Sequence, residues 1–276
     1  MQIPTINQLD LSVDQQHINQ SQPESNKNLR VKNSNVSIGS ILFKQFNICS
    51  ITFPLSIILL LYFWILFIYQ QVNEKLLSCV LYDCGAKFRP DIKHRSQFYR
   101  MLISIPQFGG ITHIIIGFIT IQMYGYISEL KYGKLKYSLI LFLSGYSSNL
   151  LSSLIYPYNL TVGSYGIIYG VIILYGFIII QQKQLGQYKK LILSIYFLVF
   201  CINFIPIIST NQVDIACIFG GILSTLLMGI YFQNFEFQRG NIISYSALIL
   251  QLIYLITGTI LIFILEVDDI QISRFC

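Results

Sequence analysis

The chain is cut into apolar blocks of about twenty residues, the length an α-helix needs to cross about 30 Å of hydrocarbon. Of its 276 residues 54% are hydrophobic and 11% are charged, whereas a soluble domain carries about a quarter charged residues to coat its surface. The chain lacks the polar residues for such a coat. Blocks of this length and composition predict an all-α polytopic membrane protein, with spans at about 51–69, 101–124, 137–155, 163–181, 189–208, 213–232 and 242–265. The run Gln122-Met123-Tyr124-Gly125 reads as the polar end of the second span.

Residues 1–48 are rich in Asn, Gln and Ser without apolar periodicity. They cannot bury enough apolar surface to offset their ordering entropy, so they are expected to form a disordered cytosolic tail. The segment has no apolar h-region like that of a signal peptide, and Asp10, Asp14 and Glu24 argue against a mitochondrial transit peptide. Lys/Arg bias sets the expected orientation. Lys131, Lys134 and Lys136 follow the second span and Lys183, Lys189 and Lys190 the fourth, while 156–162 and 209–212 carry no basic residue. With Lys27, Arg30, Lys32 and Lys44 in the tail, the N-terminus is expected in the cytosol and the C-terminus outside. The first connection disagrees: it puts Lys75, Lys87, Arg89, Lys93 and Arg95 on the expected outer side.

The net charge of +6 is scattered through short connections and forms no basic patch, which argues against a nucleic-acid partner. His17, His94 and His113 have no companions at metal-ligand spacing, so no metal is expected. Cys79 and Cys84 share the first connection and could pair if it faces an oxidising compartment. Asp214 is nearly the only charge in the third to sixth spans, which argues against a transporter or channel.

Four stretches stand out. The first joins Gly85-Ala86-Lys87, Tyr99-Arg100-Met101-Leu102 and Gly109-Gly110-Ile111-Thr112-His113. The second is Glu129-Leu130-Lys131-Tyr132-Gly133. The third runs from Leu143 through Asn149 to Ser152 and on through Val162-Gly163-Ser164-Tyr165-Gly166-Ile167-Ile168-Tyr169-Gly170. The fourth is Val213-Asp214-Ile215-Ala216-Cys217-Ile218-Phe219-Gly220-Gly221.

In this order and spacing they resemble the rhomboid family of intramembrane serine proteases, over about residues 81–235. The resemblance implies a rhomboid-like core over 49–235 and a seventh helix with a short tail over 236–276, the six-plus-one plan of the eukaryotic secretory-pathway branch. It implies close helix packing at Gly163, Gly166, Gly170 and Gly221, and an aromatic, Tyr169, beside the catalytic histidine position. It makes Arg100 and Glu129 bracing charges, and Asn149 and Asp214 motif positions. No cofactor is implied.

The chemistry is where the chain departs from the family. Rhomboids use a serine nucleophile, third in Gly-x-Ser-Gly, and a histidine base on the sixth span. Here Tyr165 and Ile218 stand in those two places. The oxyanion pair His-x-x-x-Asn is represented by His113 and Gly117, and a further family histidine is replaced by Phe108. Ser164 is an alternative nucleophile, but one residue along a helix rotates a side chain by about 100°, and no histidine follows His113. Two readings follow. One is a pseudoprotease that binds transmembrane client proteins and affects their trafficking or turnover, in the secretory pathway or plasma membrane. The other is an active protease using Ser164. Under the first, clients are expected at a lateral opening beside the second and fifth spans, with Thr120 and Gln122 as contacts.

Overall fold

The computed structural model describes residues 50–181, 189–205, 214–236 and 241–269. The tail expected over 1–48 lies outside them. Among the described residues the chain is all helical, apart from one isolated antiparallel bridge between Lys87 and Thr161.

Helix α1 (Thr52–Val72) leads into three short helices of the first connection, α2 (Leu77–Asp83), α3 (Arg89–His94) and α4 (Arg100–Ile103). The second span is α5 (Ile111–Thr120), a π-helical turn (Ile121–Gly125) and α6 (Tyr126–Tyr132). Then come α7 (Lys134–Ile155), α8 (Ser164–Gln181), α9 (Lys189–Ile202), α10 (Ile215–Glu236) and α11 (Asn241–Ile264). Among the described residues six helices are long and apolar enough to cross a membrane; α9, with 14 residues, is shorter. The protein is an integral multi-pass membrane protein.

Contacts at the helix ends give the course of the chain. Lys87 donates to Ser152 Oγ (2.7 Å) and to the Tyr156 carbonyl (3.2 Å), and its backbone bridges Thr161 in both directions. Ser152 also donates to the Asp214 carboxylate, just ahead of α10. Arg89 donates to the Ile262 and Leu265 carbonyls at the end of α11. The first connection, the 156–162 connection, the start of α10 and the end of α11 therefore share one end of the bundle. Helix α8 leaves that end and runs about 27 Å to the other, and α9 lies in sequence between it and α10, whose start is back at the first end.

Two span limits differ from the sequence reading. Residues 101–110 belong to the first connection, because Pro106 and the Gly109-Gly110 pair separate α4 from the span that starts at Ile111. At its other end the span runs on through Gln122–Gly125 to Tyr132. That polar run forms the π turn, which keeps the backbone hydrogen-bonded while adding a residue to the turn.

The Cys79–Cys84 pairing that the sequence left open does not form: Cys79 is disulfide-bonded, while Cys84 is a free thiol. Five residues along a helix turn the second side chain about 140° away from the first.

The basic first connection also finds an explanation. Arg89 and Lys93 donate to carbonyls at the C-terminus of α11, where the helix dipole favours positive charge. Lys87 is fully buried, Arg95 pairs with Asp91 (2.7 Å) and Lys75 with Asp83 (2.7 Å). These charges hold the connection together and clamp α11 to the core.

Candidate functional site

The three central helices meet through their smallest residues. A Cβ added to Gly221 on α10 would lie 2.5 Å from the Gly166 Cα on α8, so these backbones cross in direct contact. One on Gly166 would meet Ser148 Cβ at 2.5 Å and the Ser144 carbonyl at 2.6 Å on α7, and one on Gly170 would meet Ser144 Oγ at 2.5 Å. Serines of α7 satisfy carbonyls that this closeness strips of water. Ser144 donates to the Gly166 carbonyl (2.5 Å) and Ser148 to the Cys217 carbonyl (2.6 Å). In lipid such pairs replace a solvent that is absent.

Above this crossing, the chain enters α8 under the first connection. The Asn149 amide donates to the Met101 carbonyl (2.9 Å) and to Ser104 Oγ (2.8 Å), and the Gly163 N–H donates to the Ser104 carbonyl (2.8 Å). A side chain at Gly163 would meet Asn149 Nδ2 at 2.8 Å and the Ile105 Cα at 2.9 Å. Asp214 sits at the N-terminus of α10, accepts from the Cys217 N–H (3.0 Å) and is reached by Ser152. Arg100 is held under the first connection by the Tyr82 carbonyl (2.8 Å), the Ala86 carbonyl (3.1 Å) and Asp91 (3.2 Å). Glu129 reaches from α6 to the start of α1, where its carboxylate accepts from the Ile51 and Thr52 N–H groups (2.7 and 2.8 Å) and the Thr52 hydroxyl (2.7 Å). It caps α1 from another helix.

Of the positions singled out from sequence, the structure places Tyr165 against His113, Gly117 against Phe108 and Ile168, and Ile218 in the same large apolar cluster. Tyr165 stacks on His113, with ring centroids 3.8 Å apart and planes 19° from parallel. Phe108 packs edge-on to that imidazole, with ring centroids 5.0 Å apart. The His113 Nδ1 accepts from the Gly109 N–H (3.2 Å), so the ring proton of the neutral form is on Nε2. Nε2 has no partner among the described residues. Ile218 is buried in the same apolar cluster as Phe108, Ile114 and Tyr169, against which Tyr165 also packs. A side chain at Gly117 would meet Ile168 Cδ1 at 2.6 Å and Phe108 Cε1 at 3.0 Å, so those two occupy its space. Ser164 is fully buried and its Oγ has no hydrogen-bond partner, and so no base within reach, among the described residues. Tyr169 packs edge-on against Phe200 (5.7 Å) and Phe204 (5.5 Å) of the fifth span and its end. No cluster of His, Cys, Asp or Glu suited to a metal occurs among the described residues.

A rhomboid-domain family model matches residues 95–235, over half of the chain. The chain belongs to the rhomboid family. No curated protein matches it. The matched region spans α4 to α10, and with them the rhomboid glycine crossing.

Thr120 and Gln122, expected at a lateral opening, are both engaged inside the molecule. Gln122, within the π turn, donates to Ser56 on α1. Thr120 Oγ1 accepts from Asn203 Nδ2 (3.0 Å) just beyond α9. Asn203 was not singled out from sequence, although an amide inside an otherwise apolar block is a visible signal. The buried Lys87–Ser152–Asp214 chain was also missed, since nothing local marks Lys87 for burial. Removal from water pushes the Lys87 ammonium down to about 8, against the pull of Asp214.

Proposed function

We propose that this rhomboid-family protein is a pseudoprotease of the eukaryotic secretory-pathway type. It binds transmembrane client proteins in the secretory pathway or plasma membrane and affects their trafficking or turnover. The observation that carries this reading is the Tyr165 ring stacked on His113 at 3.8 Å, where a nucleophile and oxyanion donor would face a substrate carbonyl. Ile218 offers no base and Gly117 no donor, and loss of one oxyanion donor alone costs about 10²–10³ in rate. The scaffold that holds a transmembrane helix needs none of these groups.

The test uses purified full-length protein in proteoliposomes with a single-span rhomboid substrate and a fluorophosphonate probe. No cleavage and no labelling are expected. Labelling that disappears in Ser164→Ala would overturn the reading in favour of a protease with a displaced nucleophile.

A further inference from the structure

Cys79 carries a disulfide bond, and elimination narrows the choice of its partner. The chain has six cysteines, of which Cys84, Cys201 and Cys217 are free thiols. Cys49 and Cys276 are left, both outside the described residues.

Cys49 belongs to the wrong end of the molecule. It directly precedes Ser50, and the start of α1 is held by Glu129 at the far end of the second span. Cys79 lies on α2, whose Val80 shares an apolar cluster with Leu66, toward the other end of α1. Thr52 and Leu66 stand about 21 Å apart along that helix. The Cα atoms of a disulfide are only about 4.4–6.8 Å apart.

Cys276 follows a stretch that is fastened, step by step, toward α2. Lys93 donates to the Leu265 carbonyl (2.7 Å), and His94 Nε2 lies 2.7 Å from the Val267 carbonyl. The Asp268 N–H donates to the Tyr158 hydroxyl (3.1 Å). Asp269 reaches Arg95 at 3.9 Å, and Arg95 donates to the Tyr82 hydroxyl (3.4 Å). Tyr82 stands three residues after Cys79 on α2, on the same face of the helix. Residues 270–276 can extend over at most about 25 Å. The gap they have to cover is two side-chain contacts and one helical turn.

We propose that Cys79 and Cys276 form a disulfide that clasps the stretch following α11 to the first connection. It completes covalently what Lys93, His94 and Arg95 begin with hydrogen bonds and an ion pair. The loop it closes contains the whole rhomboid-matched region, 95–235, and so restricts the unfolded chain. Its formation is a thiol–disulfide exchange with a dithiol oxidoreductase of an oxidising compartment. The Cys79–Cys276 bond forms, the donor's disulfide breaks, and two electrons and the two thiol protons pass to the donor's sulfurs. The first connection then faces the oxidising side despite its basic residues, in the location proposed above, on which this part of the inference rests.

The experiment expresses the full-length protein in a eukaryotic cell, blocks free thiols with N-ethylmaleimide before lysis, and digests the purified protein with trypsin without reduction. Cleavage after Lys75, Lys87 and Arg274 isolates Leu76–Lys87 and the fragment that starts at Phe275. The two are expected as one linked species that separates on reduction. Cys84→Ser is expected to keep the link, and Cys79→Ser and Cys276→Ser each to abolish it. A link from Cys79 to Cys49, or to a second copy of the chain, overturns the pairing. A second arm reduces the purified protein and reoxidises it with glutathione disulfide. Cys79 alkylated in the cell but linked to Cys276 after reoxidation overturns the compartment and supports the bond. Cys79 alkylated in both arms overturns the bond. None of these outcomes bears on the missing dyad, so the clasp and the pseudoprotease reading fail separately.

Discussion

At the scale of single residues, each buried charged side chain among the described residues has a definite partner. Glu129 receives three hydrogen bonds at the start of α1. Glu129→Gln keeps the shape but removes the charge that strengthens those bonds, and it turns an amide donor toward backbone N–H groups. A loss of about 1.5–3 kcal/mol is expected, read as a lower thermal midpoint in detergent. Lys87 makes a pH-dependent contribution of opposite kind. Its folded-state value of about 8 lies below the ordinary 10.5, so between these values the unfolded chain binds the extra proton. Stability from this group therefore rises with pH from about 8 upward, and below about 8 its full burial cost is felt. The difference between wild type and Lys87→Met should show this slope, about 2 kcal/mol from pH 8 to 9.5. A difference that is flat or falls with pH would contradict it.

At the scale of helices, glycine is needed where backbones touch and dispensable elsewhere. Gly221→Ala places a methyl group against the Gly166 backbone, which cannot turn aside as a side chain can. A loss of about 1–3 kcal/mol is expected for such overpacking. Gly110→Ala is the control, since nothing lies within 4 Å of its added Cβ and its extended backbone suits any residue. Its thermal midpoint should match wild type. Helix α11 is tied to the first connection at its C-terminal end. The Arg89 guanidinium donates to the Leu261, Ile262 and Leu265 carbonyls of α11 and to Ser153 of α7. Arg89→Met leaves those carbonyls bare at the end of the helix. Faster proteolysis within 265–269 than in wild type is the expected readout.

At the scale of the whole molecule, the proposed separation of scaffold from chemistry is tested by rebuilding the dyad. Putting serine at Tyr165 and histidine at Ile218 restores a dyad by name, yet Phe108 and Ile168 still fill the space at Gly117. The double variant is expected to cleave a transmembrane substrate at least 10²-fold more slowly than an active rhomboid, in one proteoliposome assay. Activity within tenfold would show that the missing donor is not limiting.

Much of this was readable along the chain, because its physics is local. A bilayer demands about twenty apolar residues per span whatever packs around them, so the spans and the all-α class follow from composition and block length alone. The absence of serine at Tyr165 and of histidine at Ile218 is likewise a property of the sequence. Other features depend on which distant residues meet. The π turn at Gln122 reads as a span end because its continuation rests on Tyr124 stacking on Tyr175 across the bundle (4.3 Å). The basic first connection reads as a conflicting orientation signal until Arg89 and Lys93 are seen on the carbonyls of a helix some 170 residues later. The sequence alone determined how often the chain is apolar and which reactive groups it lacks; the tertiary structure decided which polar atoms find partners, because hydrogen bonds at membrane depth are set by geometry between helices and not by neighbours in the chain.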